Sequence, residues 1–431
     1  MNTLNHTASL SVEIVQQLKQ KIQSGEWAAG VSLPPIRQLA SELGVSPNTV
    51  ALAYNQLKAA GLVQTDGRRG TQVAFKPTHM DLAPVIPSGL IDLASGNVNA
   101  RYIPQPAPRW LKQQSNATGY DANGDDPQLL DLMRTWLQQQ AIPVQALAVF
   151  SGTLEVMGLA LRTQLCAGDA VWVEDPCWPP VLALLKQLRL VAIPLPVDAE
   201  GCSVPQPNSK IKAVILTLRA QNPTGVSFNH TRWQAWQNLL KQQPQTLVLL
   251  DDYWGVLAQQ SLADLTMRNP CLYILSVSKF LGPDLRVTLV NGNANLIADL
   301  QYQQALSTRW VSLWLQRLTA HLWQTRLVST LASARHFYAA QQRQFQQHLQ
   351  QQGIMLPIQG EGINCWLPVN NEAQVIQHLS LNGWAAQAGQ AFRTQAPPGI
   401  RLSLSNLNAT QMQAFAAVLK QSLSQHKRAW V

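Results

Sequence analysis

The chain has 431 residues, of which 46 % are apolar and only 13 % charged, against about 25 % charged in an average soluble protein, so wholesale disorder is excluded. With 32 Lys+Arg against 23 Asp+Glu the net charge is +9, a balance that admits polyanionic partners, and the length allows about two or three domains. Five cysteines without a C-x-x-C pair exclude a disulfide framework or zinc site, no metal is expected, and apolar runs far shorter than the ~20 residues of a membrane span point to a cytoplasmic protein with no membrane partner.

Val12, Ile14, Val15, Leu18 and Ile22 fall on one face of a first helix, which Gly25 can end. Ile36, Leu39, Ala40 and Leu43 repeat the helical spacing up to Gly44. Ser46 is a good N-cap for a third helix carrying Val50, Tyr54 and Leu57 at i, i+4 and i+7. Residues 62–65 and 71–75 alternate as strands around Asp66-Gly67-Arg68-Arg69-Gly70, a hairpin tip. Three short helices and a hairpin make a winged helix-turn-helix over residues 1–75, an α+β module whose third helix enters the major groove by its N-terminal end. Ser46, Asn48 and Thr49 sit at that end, Arg68 and Arg69 at the wing tip. Seven basic and four acidic side chains over residues 1–76 give +3, modest for a grip on double-stranded DNA, so a dimer is needed to add to it.

The stretch from Gly30 to Ala74 resembles the GntR-type winged-helix repressors through Leu33-Pro34, Ile36-Arg37, Leu39-Ala40, Leu43-Gly44-Val45-Ser46, Asn48-Thr49-Val50, Gly61-Leu62-Val63 and Gly70-Thr71. The resemblance implies that Arg37 holds backbone phosphate, that Ser46, Asn48 and Thr49 lie at the groove, and that Arg68, Arg69 and Thr71 of the wing also face DNA. Pro47 and Ala51 stand where that family often has arginine, which lowers the expected affinity and flattens its salt dependence.

Residues 76–90 carry prolines and no periodicity, and read as a semi-rigid linker. From 91 to 431 apolar runs alternate with helical patterns. Strands are expected at 148–150, 170–173, 191–193, 213–218, 247–250, 272–275 and 287–290, an α/β arrangement with a mostly parallel sheet. Ligands of such sheets gather beyond the carboxyl ends of the strands, and chemistry-bearing residues follow these runs. They are Ser151-Gly152-Thr153, Trp178, Asn222-Pro223-Thr224-Gly225, Asp251-Asp252-Tyr253, Ser276-Val277-Ser278-Lys279 with Arg286, and Ile400-Arg401. Singly each is ordinary. Together an amine, a carboxylate and an anion cradle suit pyridoxal 5′-phosphate.

Their order resembles the fold-type I aminotransferases over residues 91–431. By that resemblance Lys279 supplies the Schiff-base amine and Asp251 faces the pyridinium nitrogen. Asn222 and Tyr253 bond the ring 3-oxygen and Trp178 stacks on the ring. Ser151, Gly152, Thr153, Ser276, Ser278 and Arg286 hold the phosphate, Arg401 clamps an α-carboxylate of an effector, and Tyr120 is lent to the phosphate site of the other subunit of a homodimer. Thr288 stands where the enzymes' Arg-x-Gly pattern expects glycine, and Asp251-Asp252-Tyr253 is one residue shorter than the usual spacing.

A GntR-like head on an aminotransferase-like body is similar to the MocR-type, or GabR-like, transcription regulators. That similarity implies a homodimeric DNA-binding protein that senses pyridoxal phosphate or an amine or amino acid, with control of vitamin B6 metabolism among the outcomes. Two other readings stay open: a working aminotransferase with an accessory DNA-binding head, and a body that has lost its cofactor and serves only to dimerise.

Overall fold

The computed structural model describes residues 14–22, 24, 26–27, 30–59, 62–66, 70–73, 86–107, 110, 119–120, 124–262 and 264–425. The chain divides into two compact units, residues 1–81 and 82–431.

In the first unit, helix α1 spans 14–22 and buries Ile14 and Leu18. Pro35 precedes α2, Ile36–Leu43, and Gly44 ends it at φ 65°, a left-handed conformation that glycine takes without strain. Of the four apolar positions on that helix only Leu39 and Ala40 are buried, because it is two turns long and its ends are uncovered. Helix α3, Pro47–Ala59, starts on proline, whose absent N–H costs nothing at that place. Ser46 Oγ accepts the Thr49 N–H at 3.2 Å, the N-cap expected of it. Val50, Ala53 and Leu57 are fully buried, and Tyr54 donates its hydroxyl to Pro34 O at 2.7 Å, tying α3 to the start of α2. Strands β1, Val63–Asp66, and β2, Gly70–Val73, pair antiparallel from Val63 against Val73 to Asp66 against Gly70. Residues 30–33 extend this wing: Gly30 N–H reaches Val73 O at 2.9 Å and Leu33 N–H reaches Thr71 O at 2.7 Å.

The second unit is built on an eight-stranded sheet. After the two-residue strand β3, Ile91–Asp92, its strands in chain order are β4 Ala146–Phe150, β5 Ala170–Asp175, β6 Val191–Asp198, β7 Gly201–Cys202, β8 Ile211–Thr217, β9 Leu247–Asp251, β10 Cys271–Ser276 and β11 Thr288–Gly292. The spatial order is β4-β11-β10-β9-β8-β5-β6-β7. β11 runs antiparallel to both its neighbours and β7 to β6, while β10, β9, β8, β5 and β6 are mutually parallel. Alternation along the strands feeds two cores. Val149, Val214, Leu216, Val248 and Leu250 face one layer of helices, with Trp233 and Trp236; Ala148, Val171, Ile215, Leu249 and Ile274 face the other. The first layer holds α4, Pro127–Gln139, and α7, His230–Gln242; the second holds α5, Thr153–Gln164, and α6, Pro179–Gln187. Both faces are therefore covered, as a mainly parallel sheet requires.

A smaller lobe closes the unit. Strand β12, Asn364–Pro368, lies antiparallel to β15, Gly399–Ser403, which also pairs with β14, Gln387–Ala388. β3 joins β13, Trp384–Ala385, in parallel. Phe345, Leu379, Leu402 and Phe415 form its core. Among the described residues no helix is long and apolar enough to cross a membrane.

Candidate functional site

Parallel strands end on one edge of the sheet, so Thr217, Asp251 and Ser276, the last residues of β8, β9 and β10, come side by side. There a cavity of about 300 Å³ opens, lined by Gly152, Thr153, Leu154, Trp178, Thr217, Asn222, Asp251, Tyr253, Ser276, Ser278, Lys279, Pro283 and Arg286. Ten of these positions are ones the sequence picks out.

Lys279 ends the short turn after β10 and donates from Nζ to Gly96 O at 2.8 Å. Burial, and next the Arg401 guanidinium, lower its pKa from 10.5 to about 8. Gly96 has φ 67°, and a Cβ there would lie 3.0 Å from Arg401 Nη1, so the close approach of that loop needs glycine. Asp251 is 6 % exposed and its Oδ1 has no partner; Asn222 Oδ1 is buried and unpartnered as well. Burial, then the neighbouring Asp252 and Glu174, push the Asp251 carboxyl up from 3.8 to about 8. An unpaired amide oxygen and a desolvated carboxyl that itself lacks a partner at Oδ1 are a cost that a native site bears for a ligand. The Tyr253 hydroxyl donates to Ala220 O.

At the other end of the cavity Gly152 and Thr153 open α5 with free backbone N–H groups. A Cβ on Gly152 would meet Arg286 Nη2 at 2.3 Å, so the guanidinium lies directly over that glycine. Ser276 Oγ donates to Ser278 Oγ at 3.0 Å and accepts the Ser278 N–H at 3.3 Å.

Three expected residues stand outside this lining. Ser151 gives both of its donors, backbone N–H and hydroxyl, to Glu155 Oε2 at 2.6 Å each. Arg401, on β15 and 5 % exposed, lies over the Phe392 ring at 5.2 Å and donates from Nη2 to Ala94 O, while its Nε is buried without a partner. Burial lowers its pKa to about 10. Tyr120 is 79 % exposed, with the Arg309 guanidinium 4.6 Å from its ring.

Glu174 is the residue that sequence reasoning passed over. It follows the apolar run of β5 directly after Val173, is 4 % exposed, and accepts from Thr217 N and Oγ1 at 2.8 Å each and from Gln221 Nε2 at 3.1 Å. Burial brings its pKa up to about 7. A carboxylate directly after the apolar run Ala170-Val171-Trp172-Val173, in a chain so poor in charge, is the available signal.

These shifts carry a stability consequence. Unfolded Asp251 titrates near 3.8 and folded Asp251 near 8, so folding takes up a proton between those values and stability falls as pH rises through the window. Asp251→Asn is expected to raise the unfolding free energy of the cofactor-free protein at pH 8 by about 2–4 kcal/mol and to leave it nearly unchanged at pH 4. Urea unfolding at the two pH values reads this directly.

In the first unit Arg37, Ser46 and Asn48 are exposed, and Thr71 is half-buried. Thr49 corrects the sequence reading: it is 2 % exposed and its hydroxyl faces Ser46 Oγ at 2.8 Å, so it sets the helix start and offers nothing to a groove. Arg68 and Arg69 lie outside the described residues.

Known proteins match both units. Residues 10–73 match the gntR family of bacterial regulatory proteins, and residues 88–419 match aminotransferase class I and II. Over 427 residues the chain is 36 % identical to the vitamin B6 salvage pathway transcriptional repressor PtsJ of Salmonella typhimurium, covering 96 % of this chain and 98 % of that one. The chain belongs to the MocR-type transcription regulators. Its likeness to the probable rhizopine catabolism regulatory protein MocR of Rhizobium meliloti is 24 % over 376 residues, 77 % of this chain and 76 % of that one. The body of this MocR-type regulator has the fold of the Pyrococcus horikoshii kynurenine aminotransferase, at TM-score 0.69 and 20 % identity over 79 % of this chain and 92 % of that one. It also has that of a multiple substrate aminotransferase from Thermococcus profundus, at TM-score 0.71 and 16 % identity over 82 % and 96 %.

Proposed function

We propose that this regulator binds pyridoxal 5′-phosphate in the 300 Å³ cavity and that occupancy sets its affinity for double-stranded DNA. The observation that carries the reading is the pairing of a lysine amine, lowered to about 8, with a buried carboxyl whose Oδ1 has no partner within one cavity. The cofactor supplies an aldehyde that condenses with amines and a pyridine ring that is basic and electron-poor. Lys279 holds it covalently. Asp251 takes the ring N–H, which supplies its missing partner, and the positive charge so gained restores its ionised form. Asn222 and Tyr253 face the ring oxygen and Trp178 the ring. Gly152, Thr153, Ser276, Ser278 and Arg286 hold the phosphate.

The gene regulated belongs to vitamin B6 salvage, as the name of the Salmonella relative suggests. The working unit is a homodimer in which Tyr120 is lent across to the other subunit's phosphate site. Ordering at the cavity changes the spacing of the two heads, and half-sites fixed by the helical repeat turn that into a change of affinity. The expected result is at least a ten-fold difference in affinity for the DNA upstream of its target gene between cofactor-free and cofactor-loaded protein, measured by fluorescence anisotropy at one fixed salt concentration. Equal affinities overturn the sensing role.

Arg401 favours a second reading. A buried guanidinium with a free Nε beside the amine suits an amino acid's carboxylate, so the effector is an amino compound or the protein is a working aminotransferase. Many turnovers with a panel of amino acids single out the enzyme.

A further inference from the structure

Glu155 lies in the first turn of α5, the helix whose N-terminus forms one end of the cavity. The positive end of a helix dipole favours a negative charge, and here the chain supplies one of its own. Glu155 Oε2 takes the backbone N–H and the hydroxyl of Ser151, both at 2.6 Å. The only proton that the Ser151 hydroxyl can donate is thereby committed, and the residue stands outside the cavity lining. The remaining groups at that end are the opening N–H groups of the helix, the Ser276 and Ser278 hydroxyls, which already bond each other, and Arg286.

We propose that Glu155 is an affinity-setting residue that opposes an entering phosphate and holds Ser151 back from it, so that a phosphorylated ligand binds reversibly rather than being held permanently. The proposal rests on the reading of the cavity as a pyridoxal phosphate site. Its logic is electrostatic. A phosphate dianion placed at this helix end lies within a turn of a fixed carboxylate, and like charges that close weaken binding by a factor that a neutral isostere recovers. A sensor gains from this, because it responds to concentration only when its dissociation constant is near the ligand level.

Glu155→Gln keeps an oxygen acceptor for Ser151 and removes the charge. Cofactor-free parent and variant are titrated with pyridoxal 5′-phosphate and with pyridoxal, which lacks the phosphate, and binding is followed by quenching of tryptophan fluorescence. The expected result is a dissociation constant about ten-fold lower for pyridoxal phosphate and unchanged within about two-fold for pyridoxal. Glu155→Ala is expected to give the same pattern, a lower constant for pyridoxal phosphate and an unchanged one for pyridoxal, which keeps the test valid if the glutamine variant folds poorly. An unchanged constant for pyridoxal phosphate overturns the proposal, and so does an equal gain for both ligands. Failure of the parent itself to bind pyridoxal phosphate overturns the cofactor reading and this one with it.

Discussion

Lys279→Met will abolish the visible absorbance of the lysine-bound cofactor that the parent shows on mixing with pyridoxal phosphate, and will stabilise the cofactor-free protein at pH 7. The two effects share one cause. The folded amine titrates at about 8 against 10.5 in the unfolded chain, because burial and Arg401 disfavour its charge. Between those values the unfolded chain binds more protons, so stability rises with pH across the window, and below pH 8 the full penalty is present. A shift of that size corresponds to about 3 kcal/mol, discounted to about 2 kcal/mol for the part of the side chain that water reaches. Against this stands the hydrogen bond to Gly96 O, worth about 1 kcal/mol. Methionine fills the same length without a charge, so the net gain is about 1 kcal/mol, readable as a rise in urea midpoint at pH 7 that vanishes at pH 10. A variant that keeps the absorbance band removes Lys279 from the site. A variant less stable than the parent at pH 7 shows that the amine is not desolvated.

The site was legible in the sequence to the extent that topology alone assembles it. Asp251, Gly152 and Lys279 follow apolar runs by one, two and four residues, and parallel strands bring such ends to one edge without any knowledge of side-chain packing. The strands were readable for the same reason: runs such as Leu247–Leu250 are apolar on both faces because both faces are covered. What escaped depends on partners far apart in the chain. Nothing local says that Gly96 accepts from Lys279, 183 residues on, or that Glu174 meets Thr217. Thr49 escaped for a smaller reason: the N3 position of a helix faces either a groove or its own cap, and the spacing is the same for both. Ser151 is a similar case: a serine before a helix reads as an anion ligand, and only the fold shows the glutamate four residues on taking its hydroxyl.

Arg219→Met is expected to destabilise the large unit by about 3–5 kcal/mol, the size found when one partner of a buried ion pair is removed. Arg219 is 2 % exposed and Asp252 fully buried, joined from Arg219 Nε to Asp252 Oδ1 at 2.9 Å and from Nη2 to Oδ2. Arg219 Nη1 also donates to Gln260 O at 3.0 Å and Gln140 Oε1 at 3.2 Å, and the Tyr273 hydroxyl donates to Asp252 Oδ2. The pair explains why two consecutive aspartates can stand at the end of β9: the strand alternates sides, so Asp251 faces the cavity while Asp252 is neutralised by a residue of its own. Without Arg219 the stranded Asp252 carboxylate pushes the Asp251 carboxyl higher still, and a protonated Asp251 pairs less well with a ring nitrogen. The single variant therefore loses affinity for pyridoxal phosphate as well as stability. Arg219→Met combined with Asp252→Asn removes both charges and is expected to recover most of the stability, since a matched neutral pair often replaces a buried ion pair at little cost. Urea midpoints of parent, single and double variants close that cycle. A single variant within about 1 kcal/mol of the parent shows that Asp252 does not depend on Arg219 for its charge, and the division of labour between the two aspartates falls with it.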